Sequence, residues 1–275
     1  MSVPENPLPP GDALPPDAPP PALAEDAQPP LRLPVENPPW SFWDVVRVAL
    51  LALLAITLFG SMAIGIAGRG LTTAQMQGLE RDPLVVVPAE LAADILVVAF
   101  MVWLLRSRGL AFWRGVQWNF PATRWAGYVA VGALLAIAVQ AASALLPIPK
   151  ELPIDRYFSS TAGAYLMAFF GVAVAPLVEE LFFRGFLYPV IARRLGMGAG
   201  VVLTAIAFAF IHESQLARAW APLLLLFVVG LVLTGVRAQK HSVGATWLMH
   251  AGYNGALFTL LYFASDHFRH LEKLT

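Results

Sequence analysis

The sequence predicts an all-α fold: a polytopic transmembrane bundle of seven or eight spans. Of its 275 residues, 58% are hydrophobic and only 13% are charged, whereas soluble domains average about 25% charged residues. The mean hydropathy is +0.66. From Trp43 onward, apolar stretches recur that approach the roughly 20 residues a helix needs to cross a bilayer.

Composition also excludes several function classes. The chain has no cysteine, which excludes disulfides, a thiol nucleophile and thiolate metal ligands. Its 18 basic and 18 acidic residues balance to a net charge of zero, so nothing indicates a nucleic acid or another polyanion as partner.

Seven apolar segments are the predicted spans. They lie near residues 45–67, 84–105, 125–147, 162–182, 199–212, 220–236 and 244–264. The fifth is shorter than a bilayer requires, so we expect it to be tilted or enclosed by other helices. Arg269 and Lys273 follow the last span and favour the cytoplasm, so an eighth crossing or a re-entrant segment is the alternative to seven spans.

Residues 1–40 differ from the rest, being rich in proline, alanine and acidic residues. Because proline has no N–H and a fixed φ, we expect a disordered tail here and a transmembrane domain over residues 41–275. The basic residues of three predicted loops place those loops, and with them the tail, in the cytoplasm. They are Arg106, Arg108, Arg114 and Arg124, then Arg193 and Arg194, then Arg237, Lys240 and His241.

The segment "APLVEELFFRGF" places charges inside an otherwise apolar stretch. Glu180 and Arg184 are four residues apart, so they share one helical face and can pair. Glu179 is rotated by about 100° and can face a different neighbour. Ionisable residues within a span are costly and usually functional, although the pair of Glu180 and Arg184 could also be purely structural.

Two further pairs have the same helical spacing: Phe208 with His212, and His250 with Asn254. A carboxylate such as Glu179 and an imidazole such as His212 can take a proton from a shared water. An amide and a second imidazole can stabilise an oxyanion. Glu179, His212 and His250 could instead hold a zinc ion, but the H-E-x-x-H motif of many zinc hydrolases is absent.

These residues form three motifs in order. "EELFFR" fits E-E-x-x-x-R, "FAFIH" fits F-x-x-x-H and "HAGYN" fits H-x-x-x-N. Together they resemble the family of CAAX proteases and bacteriocin-processing enzymes (CPBP, or Abi), which includes the Ras-converting CAAX endopeptidase. The resemblance covers roughly residues 160–265, the last four predicted spans, and it implies an intramembrane glutamate endopeptidase.

The resemblance also implies roles for the motif residues. Glu179 would act as general base with His212, and His250 and Asn254 would form the oxyanion hole. Glu180, Arg184 and Phe208 would support the site or help bind substrate. It implies no metal or other cofactor, while a metal at Glu179, His212 and His250 stays an alternative.

The expected substrate is a peptide or a protein, membrane-anchored or not, and the expected location is the plasma (inner) membrane. Two other functions remain open. The same fold could bind a peptide without cutting it, as an immunity or scaffold protein. The buried acids and histidines could also serve transport or a proton relay, although no inverted repeat is apparent.

One conflict arises within this scheme. His212 ends the fifth span, on the side opposite the cytoplasmic end that carries the other motifs. A shared water requires His212 within about 10 Å of Glu179. The glycines of "GMGAG" at 196–200 are interpreted as a turn or a close helix contact, and Asp94 in the second span receives no role.

Overall fold

A computed structural model describes residues 36–149, 152–158 and 160–269, and within these ranges all regular structure is helical. The predicted all-α membrane bundle is therefore confirmed. A short 3₁₀ helix spans Pro153–Phe158. The α-helices are α1 (Phe42–Ala67), α2 (Thr73–Leu79), α3 (Pro83–Arg106), α4 (Phe112–Gly115), α5 (Trp125–Ser143), α6 (Thr161–Phe169), α7 (Ala175–Glu180), α8 (Tyr188–Ile211), α9 (Trp220–Lys240) and α10 (Val243–Ala264).

Five helices among the described residues are long and apolar enough to cross a membrane. They are Phe42–Ala67, Pro83–Arg106, Trp125–Ser143, Thr161–Ile211 and Trp220–Lys240. This number differs from the predicted seven for two reasons. The run Thr161–Ile211 contains two of the predicted spans, and α10 has the length of a span but carries His250 and Asn254, which lower its hydropathy.

The run Thr161–Ile211 reverses direction at Gly196. This residue has φ 84° and ψ 166°, a conformation that glycine adopts readily and other residues rarely. A Cβ on Gly200 would lie 2.9 Å from the Cβ of Ala192, whereas eight residues of straight helix would separate the two by about 12 Å. Residues 161–195 therefore form a first arm and residues 197–211 a shorter second arm packed against it.

This reversal corrects one prediction and explains another. Arg193 and Arg194 were expected in a loop, but both are helical residues of the first arm, and the chain turns only after Leu195. The "GMGAG" stretch provides both a turn, at Gly196, and a close helix contact, at Gly200. The sequence therefore contained the turn signal, but the predicted span ended about a dozen residues too early.

The first arm is not uniform. Phe170–Val174 and Leu181–Leu187 are π-helical and flank α7. In a π-helical turn the N–H of residue 176 would donate to the carbonyl of residue 171. Pro176 has no N–H, so the carbonyl of Gly171 is free to accept a bond from another helix.

The residues immediately before α1 belong to the bundle. Residues 1–35 of the predicted tail lie outside the described residues. Glu36 and Trp40, the latter at the predicted tail boundary, are 6% and 1% exposed. Helix α1 then begins with a capping box in which Ser41 and Asp44 exchange side-chain to backbone hydrogen bonds.

The basic segments meet at one end of the bundle. Glu36 binds both Gln117, in the loop before α5, and Arg237, at the end of α9. Arg193 of the first arm donates to the carbonyl of Trp40. The three segments predicted to share one side of the membrane therefore lie together. Within the described residues no helix follows α10, whose end leads into a turn over residues 265–269.

Helices α5 and α10 are in close contact. A Cβ on Gly132 would lie 1.9 Å from the carbonyl oxygen of Met249, and a Cβ on Gly252 would lie 2.2 Å from that of Val129. Both distances are far shorter than any real contact, so the two backbones touch only because both positions are glycine. The helix that carries His250 and Asn254 is thereby held against α5.

We expect Gly132→Ala to destabilise the protein by about 1–3 kcal/mol, since the added methyl group must push α10 away from α5. Gly127→Ala, in the same helix but with no atom within 4 Å of the new Cβ, is the matched control. Thermal unfolding in detergent measures both. Equal melting temperatures for the two variants would contradict the close contact.

Candidate active site

The hairpin formed by the first and second arms brings His212 close to Glu179. Glu179 lies seventeen residues before Gly196 and His212 lies sixteen residues after it, so antiparallel arms place the two at the same level. His212 Nε2 is 3.9 Å from Glu179 Oε1. The expected conflict in the position of His212 is thus removed, because the predicted fifth span is a short arm that ends at the level of the glutamates.

Glu179 lies between two histidines. On its other side, His250 Nε2 is 3.8 Å from Glu179 Oε2. Both distances exceed a direct hydrogen bond, but one water with two bonds of about 2.8 Å can bridge atoms up to about 4.5 Å apart. The side chain of Glu179 is 24% exposed and that of His212 is 17% exposed, so the space between them is not closed off by the surrounding side chains.

The backbone fixes the tautomer of His212. Its Nδ1 lies 2.8 Å from the carbonyl oxygen of Phe208, one turn earlier. A carbonyl can only accept, so Nδ1 carries the hydrogen, and the neutral ring presents the lone pair of Nε2 towards Glu179. The ring of Phe208 also packs against both histidines, with centroids 5.1 Å from His212 and 5.7 Å from His250. Phe208 therefore spaces the two imidazoles.

Glu180 is fully buried, and one of its oxygens contacts both Arg184 and His250. Its Oε1 accepts from Arg184 Nη1 at 2.9 Å and lies 3.0 Å from His250 Nδ1. Since an ionised carboxylate only accepts, Nδ1 of His250 carries a hydrogen. Glu180 thus orients His250 so that its other nitrogen, Nε2, faces Glu179.

Arg184 is enclosed by polar and aromatic partners. It is fully buried, and its Nε and Nη2 donate to Thr234 Oγ1 at 3.3 Å and to the carbonyl of Gly230 at 3.4 Å. Its guanidinium carbon lies 4.4 Å from the ring centroid of Phe208 and 5.9 Å from that of Phe183. These contacts from α9 and both arms fix the cation that compensates Glu180.

Asn254 lies one turn beyond His250 and binds a different part of the first arm. Its Nδ2 donates to the carbonyl of Gly171 at 2.7 Å, the carbonyl that Pro176 leaves free. On the same helix, Trp247 Nε1 donates to the carbonyl of Ala173 at 3.2 Å. One N–H of the Asn254 amide is therefore used to attach α10 to the π-helical turn.

A pocket of about 670 Å³ opens beside Glu179 and His212. Apolar residues of α1 and α3 form much of its wall, and Phe182 and Phe183 of the first arm contribute to it. Glu213 also lines it and forms an ion pair with Arg218 at 3.7 Å. The pocket provides room for an extended apolar ligand next to the two candidate catalytic groups.

Two carboxylates in this pocket were not assigned from the sequence. Glu90 and Asp94 of α3 line the pocket together with Glu179. They are four residues apart in an apolar helix, the same spacing that identified Glu180 and Arg184. The sequence predicted no role for Asp94 and did not single out Glu90. Tyr157 of the 3₁₀ helix lines it as well, and burial together with the Glu90 carboxylate raises the pKa of its hydroxyl.

The structure brings together most of the residues selected from the motifs. Glu179, Glu180, Arg184, Phe208, His212 and His250 form one continuous cluster. Among the described residues, no three histidine, aspartate or glutamate side chains are grouped so as to hold a metal ion.

Comparison with known proteins identifies the same part of the chain. Residues 161–256, about a third of the sequence, match the family described as type II CAAX prenyl endopeptidase Rce1-like. No curated protein and no solved structure matches. The matched range includes all three motifs, both arms and the cluster around Glu179.

The match supports a membrane-embedded protease that acts on a peptide or a protein. The resemblance predicted from the three motifs is confirmed over this range: residues 161–256 are similar to the family described as type II CAAX prenyl endopeptidase Rce1-like.

Proposed function

We propose that the protein is an intramembrane endopeptidase that hydrolyses peptide bonds with a water activated by Glu179 and His212. The observation that carries the proposal is the position of Glu179 at the pocket wall, 3.9 Å from His212 Nε2 and 3.8 Å from His250 Nε2. Two proton acceptors at this separation can hold one water between them.

In the proposed reaction, that water donates its hydrogens to Glu179 Oε1 and His212 Nε2. As its oxygen attacks the scissile carbonyl carbon, one proton passes to the pair formed by Glu179 and His212. The C–O bond forms first, and the C–N bond then breaks. The stored proton moves to the leaving amine, so the protein ends the cycle in its starting state.

His250 and Asn254 are the proposed oxyanion donors. Because His250 Nδ1 already donates to Glu180, Nε2 can donate as well only when the ring is an imidazolium. That charge would balance the site, since Glu179 and Glu180 contribute two negative charges and Arg184 one positive charge. The second N–H of the Asn254 amide is the other candidate donor.

The proposed substrate is a peptide segment, alone or as part of a membrane-anchored protein, that extends along the apolar pocket. We further propose that the protein resides in a plasma (inner) membrane with the basic end of the bundle, and the N-terminal tail with it, in the cytoplasm. The observation in favour is that the basic segments lie together at one end.

A non-enzymatic peptide-binding, immunity or scaffold role uses the same pocket and is the second candidate. The two differ in what Glu179 must do. A binding protein needs the shape of the pocket, whereas a protease also needs a carboxylate that can take a proton.

We expect Glu179→Gln and His212→Ala each to lower peptide cleavage by about 10²–10⁴-fold, the usual contribution of a general base. Glu213→Gln removes a neighbouring pocket carboxylate that faces Arg218 and serves as the matched control. Cleavage of a peptide library by the purified protein in detergent, with and without a chelator, measures the effect. Thermal unfolding checks that all variants fold.

The outcomes separate the candidate functions. Activity in Glu179→Gln equal to that of Glu213→Gln would contradict the proposed base. Loss of wild-type cleavage with the chelator would contradict water activation by Glu179 and His212 without a metal. If ligand capture persisted in Glu179→Gln with no cleavage by any form, the binding role would be supported. Proton or solute flux in proteoliposomes would support transport.

The buried pair of Glu180 and Arg184 should behave as one unit. Arg184→Gln leaves an uncompensated buried carboxylate, and we expect it to destabilise the protein by about 3–5 kcal/mol. The double variant Glu180→Gln with Arg184→Gln removes both charges, so its melting temperature should exceed that of Arg184→Gln alone. The single variant Glu180→Gln completes the double-mutant cycle, in which additive losses of stability would show that the pair is not coupled.

Pro176→Ala tests the attachment of Asn254. The new N–H can donate to the carbonyl of Gly171 and compete with Asn254 Nδ2, so we expect kcat to fall several-fold with little change in KM. Pro88→Ala, at an exposed proline inside α3, is the control. If both variants kept wild-type kcat, the free carbonyl would not contribute to the site.

A further inference from the structure

Residues 36–40, here named the strap, connect the N-terminal region to α1. Their burial alternates: Glu36, Pro38 and Trp40 are buried, whereas Asn37 and Pro39 are exposed. This alternation shows that one face of the strap is packed on the helices and the other is exposed. Trp40 is among the largest fully buried side chains of the protein.

Glu36 attaches the strap to α9 and to the loop before α5. Its Oε1 accepts from Arg237 Nη1 at 2.9 Å and lies 3.3 Å from His241 Nδ1, and its Oε2 accepts from Gln117 Nε2 at 3.1 Å. Arg237 is 1% exposed. A guanidinium buried to this extent requires an anion beside it, and Glu36 provides that anion.

Trp40 attaches the strap to the first arm. Its ring stacks on Phe186 with centroids 4.6 Å apart and an interplanar angle of 17°. Its Nε1 donates to the carbonyl of Phe186 at 3.0 Å. Arg193, two turns further along the arm, donates to the carbonyls of Pro38 and Trp40. The strap therefore binds both the side chain and the backbone of this arm.

The point of attachment lies within the catalytic part of the arm. Phe186 belongs to the π-helical stretch Leu181–Leu187, which also contains Arg184. π-helical stretches are rare and less stable than α-helix, so they persist only where surrounding contacts hold them. Arg184 in turn binds Glu180, and Glu180 orients His250.

We propose that the strap is a positioning segment for the active site and that Glu36 is its main point of attachment. While Glu36 is bound to Arg237 and Gln117, the strap holds the π-helical stretch in the register that joins Arg184 to Glu180. Loss of the Glu36 contacts loosens that stretch and moves His250 relative to Glu179. Weakening the attachment at Glu36 would thus lower activity without a change in the pocket itself. This effect on activity rests on the proposed protease function, whereas the effect on the stretch does not.

The test uses the full-length protein in detergent. Glu36→Gln removes the charge at this point of attachment, Trp40→Phe keeps the stacking but removes the N–H, and Asn37→Ala changes an exposed strap residue as the control. Hydrogen exchange of residues 181–187 is measured by mass spectrometry, alongside kcat and KM on a cleaved peptide. We expect Glu36→Gln to raise exchange in 181–187 selectively, and to lower kcat about tenfold with KM within about twofold.

Each result decides a separate point. Unchanged hydrogen exchange of residues 181–187 in both Glu36→Gln and Trp40→Phe would overturn the proposal that the strap holds this stretch. A uniform rise of exchange over all helices would also overturn it, because it indicates general destabilisation. A selective rise without any change in kcat would overturn its positioning role. If no form cleaved peptides but exchange of 181–187 still rose selectively, the strap would stand and the proposed protease function would fail.

Discussion

The buried carboxylate of Glu180 is the constraint on which the site depends. An ionised group with no exposed surface is tolerated only with compensating charge and hydrogen bonds. Arg184 supplies the charge, and α9 fixes Arg184 through Thr234 and Gly230. The same oxygen of Glu180 binds His250 on α10. Three helical segments thus converge on one atom, and any displacement among them exposes or isolates a charge.

The two antiparallel arms and the π-helical stretches determine which residues meet around Glu180. Antiparallel arms pair residues at equal distances from Gly196, so Phe208 packs on Arg184, both twelve residues from the turn, and His212 meets Glu179. A π-helical turn widens the helix and leaves carbonyls for other partners. Those of Gly171 and Ala173 bind α10 through Asn254 and Trp247. The second arm therefore places His212, and the first arm places His250.

Sequence spacing predicted most of the residues that lie together around Glu179, but it did not predict the other helices that surround them. Pairs at i and i+4 identified Glu180 with Arg184 and Phe208 with His212, because a helix puts such residues on one face. The end of the fourth predicted span was placed about a dozen residues too early because hydropathy does not distinguish one kinked run from two spans. Glu90 and Asp94 were missed as pocket residues because nothing in the sequence reports which helices pack together. The burial of Trp40 likewise depends on Phe186, 146 residues away.

Glu179 and Glu180 are adjacent and chemically identical, but they lie in different environments. A rotation of about 100° turns Glu180 into the bundle and Glu179 towards the pocket. Glu180, with no exposed surface and a fixed cation, is held as a permanent anion that orients His250. Glu179 is 24% exposed, and the nearest nitrogens of His212 and His250 lie 3.9 Å and 3.8 Å from its oxygens, beyond direct hydrogen-bond distance. The second environment suits a carboxylate that accepts and returns a proton, and we therefore propose Glu179 for the chemistry and Glu180 for the orientation of His250.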